Sequence, residues 1–263
     1  EHLRQAAQQA GDSVEVHLLL GKIALSQHQN APALEALRTA VACSDAVANS
    51  PQAAEAHLLL GRLLAQEGYW QAALECFSRL YDWIEPNARA YAERPALRPV
   101  VLRPDQLLVQ RGDMLVRLRR YDEALTVLDW AYRRDKSNPT TTRLLMQAMV
   151  ESGRFEQAHK LLLQLAGEPS QKAQLARMTL LVFKGWRDKG MDPEVGLDLL
   201  GRALEADDSD LPSVRQAIGR LAELVPADFE RTFAQQARQR RESGLLYVSG
   251  ELARARGKDM LAL

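Results

Sequence analysis

Histidine and cysteine, the side chains that most often serve as metal ligands or nucleophiles, are few in this sequence and lie far apart. The five histidines are scattered, and the two cysteines, Cys43 and Cys76, have no cysteine or histidine nearby at the spacing of metal ligands. His17 and His57 occupy equivalent places in two similar segments, which indicates a packing role repeated with the segment. We therefore predict no metal site, and two buried thiols rather than zinc ligands or nucleophiles.

Two motif-like segments do not meet the requirements of the sites they suggest. Residues 11–22 suggest a phosphate-binding loop, but Ile23 replaces the required Ser or Thr and the glycine spacing is wrong. The acidic run at 207–210 lacks the following glycine and the distal glutamate of a calcium loop. Neither a Gly-x-Ser-x-Gly nor an HExxH pattern occurs. The sequence therefore predicts no catalytic residues, no metal and no cofactor, and the protein is not expected to be an enzyme.

Charge and composition exclude further classes of function. Lys and Arg together number 34, as do Asp and Glu, so the formal net charge at neutral pH is zero. A nucleic-acid binder or an anionic-membrane binder needs excess positive charge, which the local cluster Arg238, Arg240 and Arg241 does not supply. The longest apolar runs fall far short of the roughly 20 residues that a membrane span needs, so we predict no membrane insertion. Two cysteines cannot form a disulfide scaffold in a chain with 46% hydrophobic residues.

The elements that must carry these residues are helices. The good helix formers Ala, Leu, Gln, Glu and Arg dominate, whereas alternating runs rich in Val, Ile and Thr are absent. Apolar residues recur three and four positions apart, as at Ala73, Phe77 and Leu80. Glycine and proline divide this pattern into segments of about 12 to 16 residues. The sequence therefore predicts an all-α chain.

A repeat runs through the helical pattern. A glycine is followed 12 positions later by an alanine, and four positions after that by a large apolar residue such as Leu37, Phe77 or Leu128. Small residues at both positions let two antiparallel helices approach closely, because no bulky side chain separates the backbones. The glycine–alanine pairs are Gly21/Ala33, Gly61/Ala73, Gly112/Ala124 and Gly250/Ala262.

These residues resemble the tetratricopeptide repeat, a helix–turn–helix unit of about 34 residues. The resemblance rests on the Leu-Gly pairs at 20–21 and 60–61, and on an aromatic residue three positions before an alanine, as at 121–124 and 155–158. It implies a right-handed superhelical solenoid of antiparallel helix pairs. Residues 1–13 would be the second helix of a preceding repeat, and residues 14–208 the repeats themselves. Residues 209–263 would be a degenerate repeat and the start of a further one, so we expect a piece of a longer array.

Two departures interrupt the repeat. Met146 stands where the fourth full unit would have its glycine, so we expect looser or offset packing there. A Pro/Arg-rich insertion at 86–104 contains four prolines in nineteen residues. Because proline lacks an N–H and clashes with the preceding helical turn, the insertion is expected to end the helix and form an ordered loop. It would be either a surface loop or an arm that folds over the groove or meets the partner.

The resemblance implies a binding groove lined by one stripe of each first helix. The implied groove residues are Leu18, Lys22, Leu25, Leu58, Arg62, Ala65, Val109, Asp113, Arg117, Arg143 and Gln147. Apolar residues flank the cations Lys22 and Arg62, so we expect a protein or peptide partner with apolar anchors and acidic groups. Reversing both charges is expected to weaken binding without disturbing the fold. The alternative is that some of these apolar residues simply pack between repeats.

The sequence thus predicts a non-catalytic scaffold for protein–protein interaction, with an amphipathic helix or an extended peptide as its partner. Relatives that grip the C-terminal carboxylate of heat-shock chaperones use a lysine-and-asparagine clamp, which these positions lack. Three alternatives stay open: part of a bacterial secretion, polysaccharide-export or periplasmic processing complex; self-association through open repeat ends; or a regulatory array fused to an enzyme. Arginine outnumbers lysine 27 to 7, which favours a bacterium. The compartment stays open between the cytoplasm and the bacterial periplasm.

Overall fold

A computed structural model describes residues 13–43, 50–166, 178–179, 181–182, 193–204, 211–223 and 229–257. The chain divides into two compact units, Glu1–Asp135 (unit 1) and Lys136–Leu263 (unit 2). The described residues form α-helices and turns, without a strand, so the predicted all-α repeat fold is confirmed. The segment expected to precede the first repeat, up to residue 12, and the last residues from 258 onward lie outside the described ones.

Unit 1 is built from consecutive helix pairs. Turns of three residues join α1 to α2, α3 to α4 and α6 to α7, so the members of each pair run antiparallel. Each pair also packs on the next one, through α2 with α3 and α4 with α6. The helices are α1 (Val14–Ser26), α2 (Asn30–Ala42), α3 (Pro51–Gln66), α4 (Trp70–Ala92), α5 (Arg98–Leu102), α6 (Asp105–Arg117) and α7 (Tyr121–Arg134).

The glycines of the repeat lie beneath a large side chain of the second helix. A Cβ atom added to Gly21 would lie 2.7 Å from Leu37 Cγ, and one added to Gly61 would lie 2.8 Å from Phe77 Cε1. Gly112 stands in the same relation to Leu128. The large residue sixteen positions after each glycine therefore fills the space left by the missing side chain, which explains why this spacing recurs in the sequence.

The turns within the pairs share one backbone conformation. Seven residues after each glycine of the repeat the backbone is left-handed, at His28 (φ 56°), Gly68 (φ 85°) and Arg119 (φ 59°). The next residue donates its N–H to the carbonyl five positions earlier, as Tyr69 does to Leu64 at 2.8 Å. This bond is the longer of the two that close a Schellman motif at a helix end. Gly153 (φ 76°) keeps the same place in the turn that follows Met146, so the repeat frame survives the missing glycine.

The helix before the insertion is longer than the sequence predicted. The expectation that the insertion would end the helix at Pro86 is wrong, since α4 continues through Pro86 to Ala92. Proline removes one N–H, but Ile84 and Tyr91 are buried on either side of it and hold the extra turns against the unit. The chain then turns at residues 93–97, which we call the 93–97 turn, before entering α5.

Unit 2 begins with a pair of the same kind and then departs from it. Its helices are α8 (Pro139–Glu151), α9 (Phe155–Ala166), α10 (Pro193–Leu204), α11 (Leu211–Ala222), α12 (Phe229–Arg240) and α13 (Ser243–Ala255). Met146 is fully buried in α8. The last helix, α13, packs against α10, α11 and α12. Its Leu245 covers Gly201 of α10, where an added Cβ would lie 2.5 Å from Leu245 Cδ2, so this contact joins helices far apart in the repeat order.

The two cysteines and His57, which the sequence analysis considered for chemistry, are buried in the helical core. Cys43 and Cys76 are both buried, as predicted, and neither forms a disulfide; burial raises the pKa of the Cys76 thiol to about 11. His57 is buried and meets the ring of Trp83 edge-on, with ring centroids 5.0 Å apart. Among the described residues, His, Cys, Asp and Glu form no cluster that could hold a metal ion. None of the described helices combines the length and hydropathy that crossing a membrane requires.

Candidate protein-binding surface

The stripe implied by the sequence lies on the first helices of the pairs: α1, α3 and α6 in unit 1 and α8 in unit 2. Two of its three leucines are not on the surface. Leu18 is 3% exposed and Leu58 is fully buried. Both pack in the helical core, so for these two residues the groove assignment needs correction and the packing alternative holds. Leu25, Ala65 and Val109 are half-buried, while Leu19, next to Leu18, is 48% exposed.

Lys22 is held by an internal carboxylate. Its Nζ donates a hydrogen bond of 2.8 Å to Oε1 of Glu55, which lies on α3. Glu55 is only 2% exposed, and its other oxygen accepts a bond of 2.5 Å from Nη1 of Arg94. Arg94 belongs to the 93–97 turn, so the insertion contributes directly to this cluster. Lys22 is therefore partly neutralised before any partner arrives.

Arg62 has a different environment from Lys22. It is exposed on α3 and makes neither a hydrogen bond nor an ion pair with any described residue. Partial burial nevertheless lowers the pKa of its guanidinium, because the charged form loses part of its hydration. A cation that is partly desolvated and lacks a counter-ion attracts an external carboxylate more strongly than a fully hydrated one.

The stripe residues of α6 are already paired with each other. Nε of Arg117 donates a bond of 3.0 Å to Asp113, one helical turn earlier. The guanidinium of Arg117 also lies 4.4 Å from the ring centroid of Trp70, which is a cation–π distance. Among the implied groove cations of the described part of unit 1, Arg62 alone is left without a counter-ion.

The two stripe residues in unit 2 lie on α8 and contact each other. Arg143 is exposed, and its Nη1 donates a bond of 3.3 Å to Oε1 of the half-buried Gln147. Both side chains face the surface of their own unit and remain candidates for contact with a partner.

Sequence reasoning missed Glu55 and Arg94. Glu55 could have been found, because it precedes Leu58, Arg62 and Ala65 at helical spacing and so extends the stripe by one turn. Nothing in the sequence pairs Arg94 with Glu55, since the two are 39 residues apart and the insertion contains four arginines.

Comparison with known proteins identifies the repeat. The family model described as tetratricopeptide repeat matches residues 115–179. The crystal structure of YrrB, a TPR protein with an unusual peptide-binding site, matches 82% of this chain and 97% of its own at 16% identity, with a TM-score of 0.54. The Rap conjugation gene regulator of plasmid pLS20, in complex with the Phr* peptide, matches 95% of this chain and 74% of its own at 14% identity. Its TM-score of 0.37 is too low to bear on the fold. No curated protein matches the sequence.

Proposed function

We propose that the chain, whose residues 115–179 match the tetratricopeptide-repeat family model, is a non-catalytic scaffold that binds an acidic peptide segment of a partner protein on unit 1. Arrays of helix pairs present a large preformed surface, and such surfaces serve to hold other proteins. YrrB, which shares the fold, has a peptide-binding site.

The observation that carries the proposal is the state of Arg62. It is exposed on a first helix, is partly desolvated, and has no counter-ion among the described residues. A carboxylate of the partner would supply the missing charge through a short, charge-assisted hydrogen bond. The half-buried Leu25, Ala65 and Val109 would contact apolar side chains on either side of that carboxylate.

A selection from short random peptides displayed on phage tests this function, because it does not require the natural partner. The full chain serves as bait. We expect the enriched peptides to share an Asp or Glu next to apolar residues. Arg62→Glu should weaken their binding by about tenfold or more, which corresponds to one charge-assisted contact.

The matched control is Arg79→Glu. Arg79 is exposed on α4, the second helix of the same pair, and forms neither a hydrogen bond nor an ion pair with a described residue. The assay is run at a pH slightly above neutral. Under this condition the variant should bind the enriched peptides with the same affinity as the parent. Peptides without acidic residues, or equal losses in the two variants, would refute the proposed site.

A further inference from the structure

One stretch of α3 is enclosed on every side. Residues 53–58 are all buried, including Glu55 and His57. Because six residues cover more than one and a half helical turns, no face of this stretch reaches solvent. In α1 and α6 the corresponding stretches keep exposed positions, among them Glu15 and Gln106, which occupy the place of Glu55 in the repeat. In the C-terminal half of α3, buried positions alternate with more exposed ones, as is usual for a helix with one face in the core, and Arg62 is exposed.

The 93–97 turn supplies part of this cover. Tyr91, Leu97 and Val100 are buried before, within and after the turn, so its position against unit 1 is fixed by packing. From this position Arg94 reaches one oxygen of Glu55, while Lys22 reaches the other from α1. Three segments of the chain therefore meet at one buried carboxylate.

We propose that Glu55 and Arg94 form a built-in occupant of the groove. The Glu55 carboxylate takes the place beside Lys22 that a carboxylate of the partner would otherwise take, and the 93–97 turn covers it. The inference rests on the proposed function and deepens it. The groove selects a segment with one acidic group, seated at Arg62, because the second cation of the stripe is occupied from within.

The variant Glu55→Gln tests this occupancy. Its amide has nearly the same shape and can still accept hydrogen bonds, but it removes the charge that holds Lys22. The probes are an acidic peptide selected on the parent, labelled with fluorescein, and derivatives of it in which each other position in turn is changed to Glu. We expect at least one derivative to bind Glu55→Gln about five- to tenfold more tightly than it binds the parent, measured by fluorescence anisotropy.

Two further variants show whether the gain comes from Lys22. Glu15→Gln makes the same chemical change at the equivalent, exposed position of the first repeat, and it should bind every derivative as the parent does. Lys22→Ala combined with Glu55→Gln should abolish the gain. If Glu55→Gln binds all derivatives like the parent while Arg62→Glu still weakens binding, the built-in occupant is refuted and the proposed function stands. If Arg62→Glu weakens none of them, the proposed function itself is refuted.

A second measurement needs no peptide. Acetylation by an amine-reactive ester, followed by mass spectrometry, reports how readily each lysine amine is available. Lys160 is an exposed reference on α9 that makes neither a hydrogen bond nor an ion pair with a described residue. We expect Lys22 to react several-fold more slowly than Lys160 in the parent. In Glu55→Gln, the rate for Lys22 should approach the rate for Lys160. Equal rates for Lys22 and Lys160 in the parent would overturn the inference, whether or not the variant folds.

Discussion

At the scale of single residues, Lys22 and Arg62 have the same place in their repeats and the same charge, yet their roles differ. Lys22 forms an ion pair with the buried carboxylate of Glu55, whereas Arg62 lacks a counter-ion among the described residues. The sequence-based expectation that reversing both charges would leave the fold intact therefore applies to Arg62 only. A glutamate at position 22 would place a second carboxylate against the buried Glu55.

Lys22→Glu should consequently lower the free energy of unfolding, by about 1 to 3 kcal/mol, because it removes the half-exposed lysine that pairs with the buried Glu55 and places a second carboxylate beside it. Arg62→Glu should change it by no more than about 0.5 kcal/mol, as is usual for an exposed site. Urea unfolding followed by circular dichroism measures both. Equal stabilities of the two variants would show that the Lys22–Glu55 pair contributes nothing to the fold.

His57 gives the fold a dependence on pH. Burial, with a smaller contribution from the charge of Arg79, lowers the pKa of this imidazole from 6.5 to about 4. The neutral form is therefore favoured in the folded state. The associated stability is fully present above pH 6.5 and is lost as the pH falls toward 4. The shift corresponds to about 3 kcal/mol.

Replacing His57 with glutamine, which does not titrate, should flatten this part of the profile. The measurement is the urea midpoint of parent and variant at a series of pH values between 6.5 and 4. Carboxylates titrate in both proteins, so the difference between the two profiles isolates the histidine. Parallel profiles would mean that His57 is protonated in the folded protein without cost.

At the scale of elements, the close approach of paired helices depends on the glycines. Gly61→Ala should destabilise the chain by about 1 to 3 kcal/mol, since the new Cβ would lie 2.8 Å from the Phe77 ring. Gly219→Ala on α11 is the matched control. Apart from the backbone of its own helix and its chain neighbours, no atom of the described residues lies within 4 Å of a Cβ added there, so alanine should be neutral or stabilising by up to about 1 kcal/mol. Thermal unfolding of both variants checks the helix register, and similar losses in the two would show it to be wrong.

The pairing of elements was the part of the fold that the sequence could predict. The spacing from Gly61 to Ala73 and Phe77 reports a contact inside one repeat, where the short turn leaves the two helices few other arrangements. The run of α4 through Pro86 could not be predicted, because the burial of Tyr91 on the far side of the proline is a tertiary effect. The burial of Leu58 was missed for a related reason. Helical spacing gives the face of a helix, but not which neighbouring segment covers it.

At the scale of the whole molecule, the chain forms two compact units, and the proposed site lies within unit 1. The ion cluster joins residues 33 and 39 positions apart, Lys22 with Glu55 and Glu55 with Arg94. Such long-range contacts depend on where the insertion folds back, which local sequence patterns do not encode. For the same reason the sequence indicated the stripe on α3 but not that residues 53–58 are buried on every side.

The zero net charge of the chain leads to an expectation about partners that is independent of the site. Nucleic-acid binding draws most of its affinity from the release of counter-ions by excess positive charge, which this chain lacks. A short DNA duplex should therefore not be retained with the protein in a filter-binding assay at low salt. Retention that disappears as salt is added would show that local arginine clusters suffice for binding.

We propose that unit 1 binds an acidic segment through Arg62. The most direct test is a fluorescence anisotropy titration of one selected acidic peptide against the parent, Arg62→Glu and Arg79→Glu. We expect saturable binding to the parent and to Arg79→Glu with the same affinity, and binding weakened about tenfold or more for Arg62→Glu. Equal affinity for all three proteins would refute the proposed site, because the peptide would then bind without using the one stripe cation of unit 1 that the structure leaves unpaired among its described residues.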